Sequence, residues 1–144
     1  MSKISLLMLM ALFAASFIGC AQTPSPKDSP ATATAALRTF EKGDNSKAVI
    51  LKIGEEFKIQ LKGVPTAGYM WKIMDMNKTQ LKMLSEEVKS LTPPGMVGGS
   101  SMFIWRFSAQ TAGESRLVLK NFRSWEGADK AAETFTLKIT VKKN

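Results

Sequence analysis

Thr134-Phe135-Thr136-Leu137-Lys138-Ile139-Thr140-Val141-Lys142 alternates polar and apolar residues without a break. In an extended chain successive side chains point to opposite faces, so this stretch reads as a strand with one buried and one wet face. Glu56-Phe57-Lys58-Ile59-Gln60-Leu61-Lys62 repeats the pattern. Ser101–Ala109 sets Phe103, Trp105 and Phe107 against Met102, Ile104 and Arg106. It is nearly apolar on both faces and is expected in the middle of a sheet. Ala48–Lys52, Tyr69–Asp75 and residues 116–122 complete the main set. Residues 80–82 and 87–91 are shorter strand candidates. They lie in a segment, 78–91, whose Leu81, Leu84 and Val88 also fit the 3–4 spacing of a helix. Turn signals separate the strands at Lys52-Ile53-Gly54-Glu55, Pro93-Pro94-Gly95 and Thr111-Ala112-Gly113-Glu114.

Seven to eight short strands with regular turns predict an all-β fold, an immunoglobulin-like antiparallel β-sandwich. Cys20 is the only cysteine. No intrachain disulfide can form, so the core alone must hold the sandwich together. The folded part, residues 37–144, is of ordinary single-domain size, about 105 residues.

The N-terminal end reads as a targeting segment. Lys3 precedes an uncharged apolar run over residues 4–18. That run is shorter than the roughly 20 residues a spanning helix needs, and the pattern is that of a secretory signal. Residues 1–19 are assigned to it. The run ends in Phe17-Ile18-Gly19-Cys20, which resembles a bacterial lipobox, with Cys20 as the lipidated residue and the lipid bilayer as a partner. The alternative is ordinary cleavage after Ala21, which would release a secreted protein. Ala21 follows the cysteine and is not Asp, which by resemblance to proteobacterial lipoproteins favours the outer membrane or a periplasm-facing position. Residues 20–36, rich in Pro, Ser, Thr and Ala, read as a flexible tether.

The side-chain inventory excludes several classes of chemistry. The chain has no His, which removes Ser-His-Asp and Cys-His catalysis and His-based metal sites. Glu55-Glu56 and Glu86-Glu87 are sequence neighbours, which on a strand point to opposite faces. No glycine-rich phosphate loop opens a helix. An enzyme is therefore not expected, and neither is a cofactor or a metal. The net charge of +8 comes from lysines dispersed on the polar phase of strands (Lys58, Lys62, Lys138, Lys142), where they solvate a face and guard edges. No basic cluster interleaves with aromatic residues, so nucleic acid is not an expected partner. Binding is the remaining class.

Three stretches carry loop chemistry between the strands: Gly63-Val64-Pro65-Thr66-Ala67-Gly68-Tyr69, Gly95-Met96-Val97-Gly98-Gly99 and Arg123-Ser124-Trp125-Glu126-Gly127. Pro65 restricts the backbone at its own position and at Val64, and Gly68 permits a positive φ, so the first loop is pre-shaped. Each stretch alone could be an ordinary turn. In order and spacing the three resemble the inhibitory loops of the chagasin family, protein inhibitors of papain-like cysteine proteases. The family carries Asn-Pro-Thr-Thr-Gly and an aromatic residue in the first loop. This chain matches at Pro65, Thr66, Gly68 and Tyr69 and departs at Val64 and Ala67. The second loop is of Gly-x-Gly-Gly type in the family, matched by Gly98 and Gly99 with Gly95 as the leading glycine. The third is Arg-Pro-Trp, matched by Arg123 and Trp125 with Ser124 in place of the proline.

The resemblance covers residues 44–141, essentially the whole folded part. It implies a monomeric, reversible, competitive inhibitor whose three loops wedge into the active-site cleft of a papain-like protease. Thr66 would then lie nearest the catalytic dyad, loop two would exchange main-chain hydrogen bonds with the cleft, and Trp125 would stack on aromatic residues of the primed side. A cell-surface adhesion module or an envelope assembly factor would use the same sandwich without protease affinity.

Overall fold

Eight strands succeed one another along residues 37–143, the part of the chain that this computed structural model describes. They are β1 (Arg38–Phe40), β2 (Ala48–Lys52), β3 (Glu56–Gly63), β4 (Tyr69–Asp75), β5 (Leu81–Ser90), β6 (Ser101–Ala109), β7 (Gly113–Arg123) and β8 (Glu133–Lys142). Residues 1–36, over which the sequence predicts a signal segment (1–19), a lipidated Cys20 and a tether (20–36), lie outside the described residues.

The strands form two four-stranded sheets, in the orders β1-β3-β6-β5 and β2-β8-β7-β4. β6, doubly apolar in sequence, is an inner strand, as expected. Four of the six pairings are antiparallel, whereas β1 runs parallel to β3 and β2 parallel to β8. The cause is connectivity. β1 and β2 lie in different sheets, and neither forms a hairpin with the strand beside it, so nothing forces an antiparallel return.

The segment 78–91 is extended. β5 is one strand paired to β6, with a register shift between Met83 and Ser85. Among the described residues nothing pairs with its outer edge, and nearly all of its residues are exposed. The helix-like spacing of Leu81, Leu84 and Val88 therefore reflects a bulge on an edge strand, with only Leu81 buried. β1 was not anticipated. Three residues are too few for a period to show, but Phe40 is buried and its ring meets that of Phe57 edge-on at 5.9 Å.

The inward phases of both sheets make one core. Phe57, Ile59, Leu61, Phe103, Trp105 and Phe107 come from the first sheet, and Leu117, Leu119, Phe135, Leu137 and Ile139 from the second. Phe57 and Phe107 are cross-strand partners with stacked rings 5.2 Å apart. The opposite phase is wet, with Lys62, Lys138 and Lys142 exposed, and Arg106 pairs with Glu56 at 2.7 Å. With no disulfide in the described residues, stability rests on this burial.

The registers decide where the loops go. Gly63 of β3 is level with Ser101 of β6, which is level with Ser90 of β5. Tyr69 of β4 is level with Arg123 of β7, and Asn121 is level with Glu133 of β8. Residues 64–68, 91–100 and 124–132 therefore all leave the sandwich at the same end. The β3–β4 loop crosses between the sheets, while the other two close hairpins on either side of it.

Phe107→Ala removes a fully buried ring from the stacked pair. It should cost about 3–5 kcal/mol of unfolding free energy, read as a fall in the urea midpoint at unchanged slope.

Candidate functional site

Loop one (64–68) is a single 3₁₀ turn over Pro65–Ala67. Val64 accepts hydrogen bonds from the amides of Ala67 (3.0 Å) and Tyr69 (3.3 Å), and Pro65 accepts one from Gly68 (2.8 Å). Pro65 suits the first position of such a turn because its φ is already set and no partner is needed for its nitrogen. Below the loop the Trp71 indole nitrogen donates to the carbonyl of Lys62 at 3.0 Å, which ties the base of the loop to the buried edge of the core.

Gly68 closes the turn in the left-handed region, at φ 84° and ψ −1°. It has a second reason to lack a side chain. A Cβ built there would lie 2.1 Å from Cη2 of Trp125, with Cζ3 and Cζ2 within 3.0 Å. The benzo edge of the indole thus rests against the backbone of Gly68, yet Trp125 remains 71% exposed. The indole is therefore braced from one side and presented to solvent on the other.

Arg123, at the end of β7, joins loops one and three. Its Nε donates to the carbonyl of Ala67 at 3.1 Å. Its guanidinium carbon stands 4.5 Å from the centroid of the Tyr69 ring and 5.8 Å from that of Trp125. Nη1 also pairs with Glu126 at 3.4 Å. Turn bonds from the amides of Glu126 and Gly127 to the carbonyl of Arg123 complete the loop. Ser124 is exposed at its tip.

Loop two (91–100) is pinned internally. Its ends close with a bond from the Leu91 amide to the Ser100 carbonyl (2.9 Å), and Thr92 Oγ1 donates to the carbonyl of Gly98 (2.6 Å). Gly99 has φ 109°, and a Cβ there would sit 2.2 Å from Thr92 Oγ1. Thr66 Oγ1 donates to the carbonyl of Gly99 at 3.4 Å, a long bond that is the hydrogen bond linking loop two to loop one.

The structure thus gathers the anticipated residues at one end. Thr66, Ala67 and Val64 are exposed, Pro65, Gly68 and Tyr69 half-buried; Gly98 and Gly99 are exposed beside Thr66; Arg123 and Trp125 flank loop one on its other side. Gly95 is exposed on the same loop two, and a Cβ built there meets nothing within 4 Å, as at Gly98. The sequence reading passed over Met96 and Val97, which are 67% and fully exposed. Two consecutive apolar residues among glycines, outside any strand that could bury them, were the available signal.

The family model described as chagasin family peptidase inhibitor I42 matches residues 50–139. This chain belongs to that family. Amoebiasin-1 of Entamoeba histolytica is 31% identical over 98 residues, which cover 68% of this chain and 93% of the relative. Among solved structures, a cysteine protease inhibitor of Entamoeba histolytica superposes with a TM-score of 0.66 at 20% identity, over 74% of this chain and 96% of the other. The inhibitor PbICP-C, solved in complex with falcipain-2, gives 0.57 at 16% identity, over 73% and 99%. At these identities both superpositions speak for a shared fold. Chagasin family members are inhibitors of cysteine proteases, so the chain falls in a family of inhibitors and not of enzymes.

Gly54 and Gly68 share nearly the same positive φ, but a Cβ on Gly54 meets nothing within 4 Å. Alanine at either site carries the left-handed backbone penalty of about 1–2 kcal/mol. Gly68→Ala should cost measurably more than Gly54→Ala in parallel denaturant titrations, because it also dislodges Trp125.

Proposed function

We propose that this chain is a reversible, competitive inhibitor of papain-like cysteine proteases, and that it acts by filling the active-site cleft with the three loops. The observation that carries the reading is the brace around Gly68. Trp125 and Arg123 of loop three are held against loop one before any partner arrives. Preorganisation of this kind reduces the ordering cost that binding must overcome. Thr66, at the exposed crest between loops two and three, is the residue that would face the catalytic dyad. Gly98 and Gly99 offer a backbone without side chains, suited to main-chain hydrogen bonding along an extended cleft. Trp125 is the aromatic anchor. No covalent bond forms and no scissile peptide is presented.

An interface of standard size, about 800 Å² per partner, is expected. The complex of PbICP-C with falcipain-2 is a relative's precedent for such a partner. The test is a titration of the purified protein against papain. Competitive inhibition at nanomolar to low-micromolar concentration is expected, and its absence at micromolar concentration would leave an adhesion or assembly role as the better reading. Truncation of a central Trp anchor costs about 2–4 kcal/mol, so Trp125→Ala should raise the inhibition constant by tens-fold or more.

We further propose export of the chain and acylation of Cys20, with residues 20–36 as the tether to a membrane. The support is the charged-then-apolar run of residues 3–18 and the Gly19-Cys20 junction. Intact-mass measurement on the protein from its native envelope should give a polypeptide starting at Cys20 plus the mass of its acyl chains. An unmodified chain starting at Gln22 would indicate ordinary cleavage and a secreted inhibitor.

A further inference from the structure

On the outer face of the second sheet, cations stand in register with one another. Arg116 of β7 faces Lys138 of β8, Lys120 of β7 faces Lys72 of β4, and Lys142 of β8 is level with Lys52 of β2. All are exposed except Lys120, which is half-buried. Facing residues of an antiparallel pair have Cβ atoms about 4.5–5.5 Å apart, and like charges placed there work against the sheet. β7 and β8 are inner strands, so the edge-guarding expected of Lys138 and Lys142 has no edge to act on.

Little nearby neutralises this charge. Asp75 reaches Arg116 only at 3.9 Å, and Glu114 faces Thr140. Among the described residues Lys52, Lys72, Lys138 and Lys142 have no acidic partner at ion-pair distance. The outer face of the first sheet is built differently: Arg106 pairs with Glu56 at 2.7 Å, and Lys89 with Glu87 at 3.3 Å. A face that keeps its self-repulsion is complementary to an extended negative surface. Its cations run from Lys52 and Lys142, far from the loops, to Lys72 and Lys120 near them, a span no single small anion covers. Arg38 Nη1 donates to the carbonyl of Ile50 at 2.8 Å, which sets β1 against β2. The chain therefore enters the fold beside the basic face.

We propose that the outer face of the second sheet docks on an anionic lipid surface. The choice of lipid over another polyanion rests on the anchor proposed at Cys20, whereas the charge pattern does not depend on it. Each Lys or Arg near such a surface favours binding about fivefold. The face lies along the flank of the sandwich and the loops leave at its end, so docking leaves the loops clear of the lipid.

The test uses the chain from residue 20 onward with Cys20→Ser, so that neither the apolar run nor an acyl chain holds it to lipid. The core described above lies between Phe40 and Val141, so this chain carries the whole sandwich. It is sedimented with vesicles of phosphatidylglycerol and phosphatidylcholine in equal parts, and with vesicles of phosphatidylcholine alone. Binding to the acidic vesicles only, weakening as salt is raised, is expected. Lys138→Glu with Lys142→Glu should lower that binding about tenfold or more. Lys62→Glu with Lys82→Glu makes the same change of net charge at exposed positions of the first sheet and should lower it far less. Should the first pair fail to fold, Lys52→Glu with Lys72→Glu takes its place. Lys138→Glu alone puts a carboxylate opposite Arg116, so it should raise the urea midpoint while it weakens vesicle binding. Equal losses in the two double variants would reduce the effect to net charge. Equal binding to neutral vesicles, or retention by heparin without vesicle binding, would assign the face to another partner. Each of these three results overturns the proposal, and none of them bears on the inhibition of papain.

Discussion

The arrangement of the loop-bearing end of this molecule depends on how Arg123 is held. The β4–β7 register sets Tyr69 and Arg123 opposite one another, and the guanidinium settles over the Tyr69 ring while it donates to the carbonyl of Ala67. A guanidinium is planar, always charged and weakly hydrated, so it can stack and donate at once where an ammonium could not. Each contact is modest, about 0.5–1 kcal/mol for a partly exposed cation–π pair. Their joint effect is to fix the relative position of two loops, one crossing between the sheets and the other closing the β7–β8 hairpin. Without that clamp Trp125 would have only Gly68 to rest on.

The ridge is not uniform in stiffness. Loops one and three share a side-chain bond, one ring contact and a close packing of indole on glycine. Loop two is joined to them by one long hydrogen bond from Thr66, although it is well closed on itself through Thr92 and Leu91. An assembly of this kind presents a firm edge made by Thr66 and Trp125, with an adjustable flap beside it. Met96 and Val97 ride on that flap, the first two-thirds and the second fully exposed.

Much of the sandwich was legible because its inner strands obey a period of two. β3, β6 and β8 bury one phase completely, and nothing but a buried face keeps such a pattern. β5 was ambiguous for the converse reason. An unpaired edge with a bulge buries so little that its apolar residues carry no phase. The parallel neighbours of β1 and β2 were hidden, because adjacency without a hairpin leaves no local mark. In the site, Pro65, Gly68, Gly98, Gly99, Arg123 and Trp125 were legible as motif positions. The pairing of Arg123 with Ala67 and Tyr69 was not, since it is created by a register between strands more than fifty residues apart.

Exposure of apolar side chains would not by itself have singled out the ridge. Met83, Leu84 and Val88 on β5 are about as exposed as Val64, at 41%, 41% and 50% against 40%. They belong to an edge strand flanked by charges (Lys82, Glu86, Glu87, Lys89), with a bulge that spoils its register. That combination discourages pairing with another chain. The loop residues differ in being held. Trp125 is braced from below, Thr66 is committed to Gly99, and loop one is locked by its own turn bonds and by Arg123. An exposed group that can move loses entropy when a partner fixes it, and much of its contact energy goes to that loss. A group already fixed by its own fold gives most of that energy to the complex. Surface hydrophobicity is spread over several parts of this molecule, but rigid surface hydrophobicity is concentrated where Gly68 lets the indole lie down, and that is the physical ground for placing its function there.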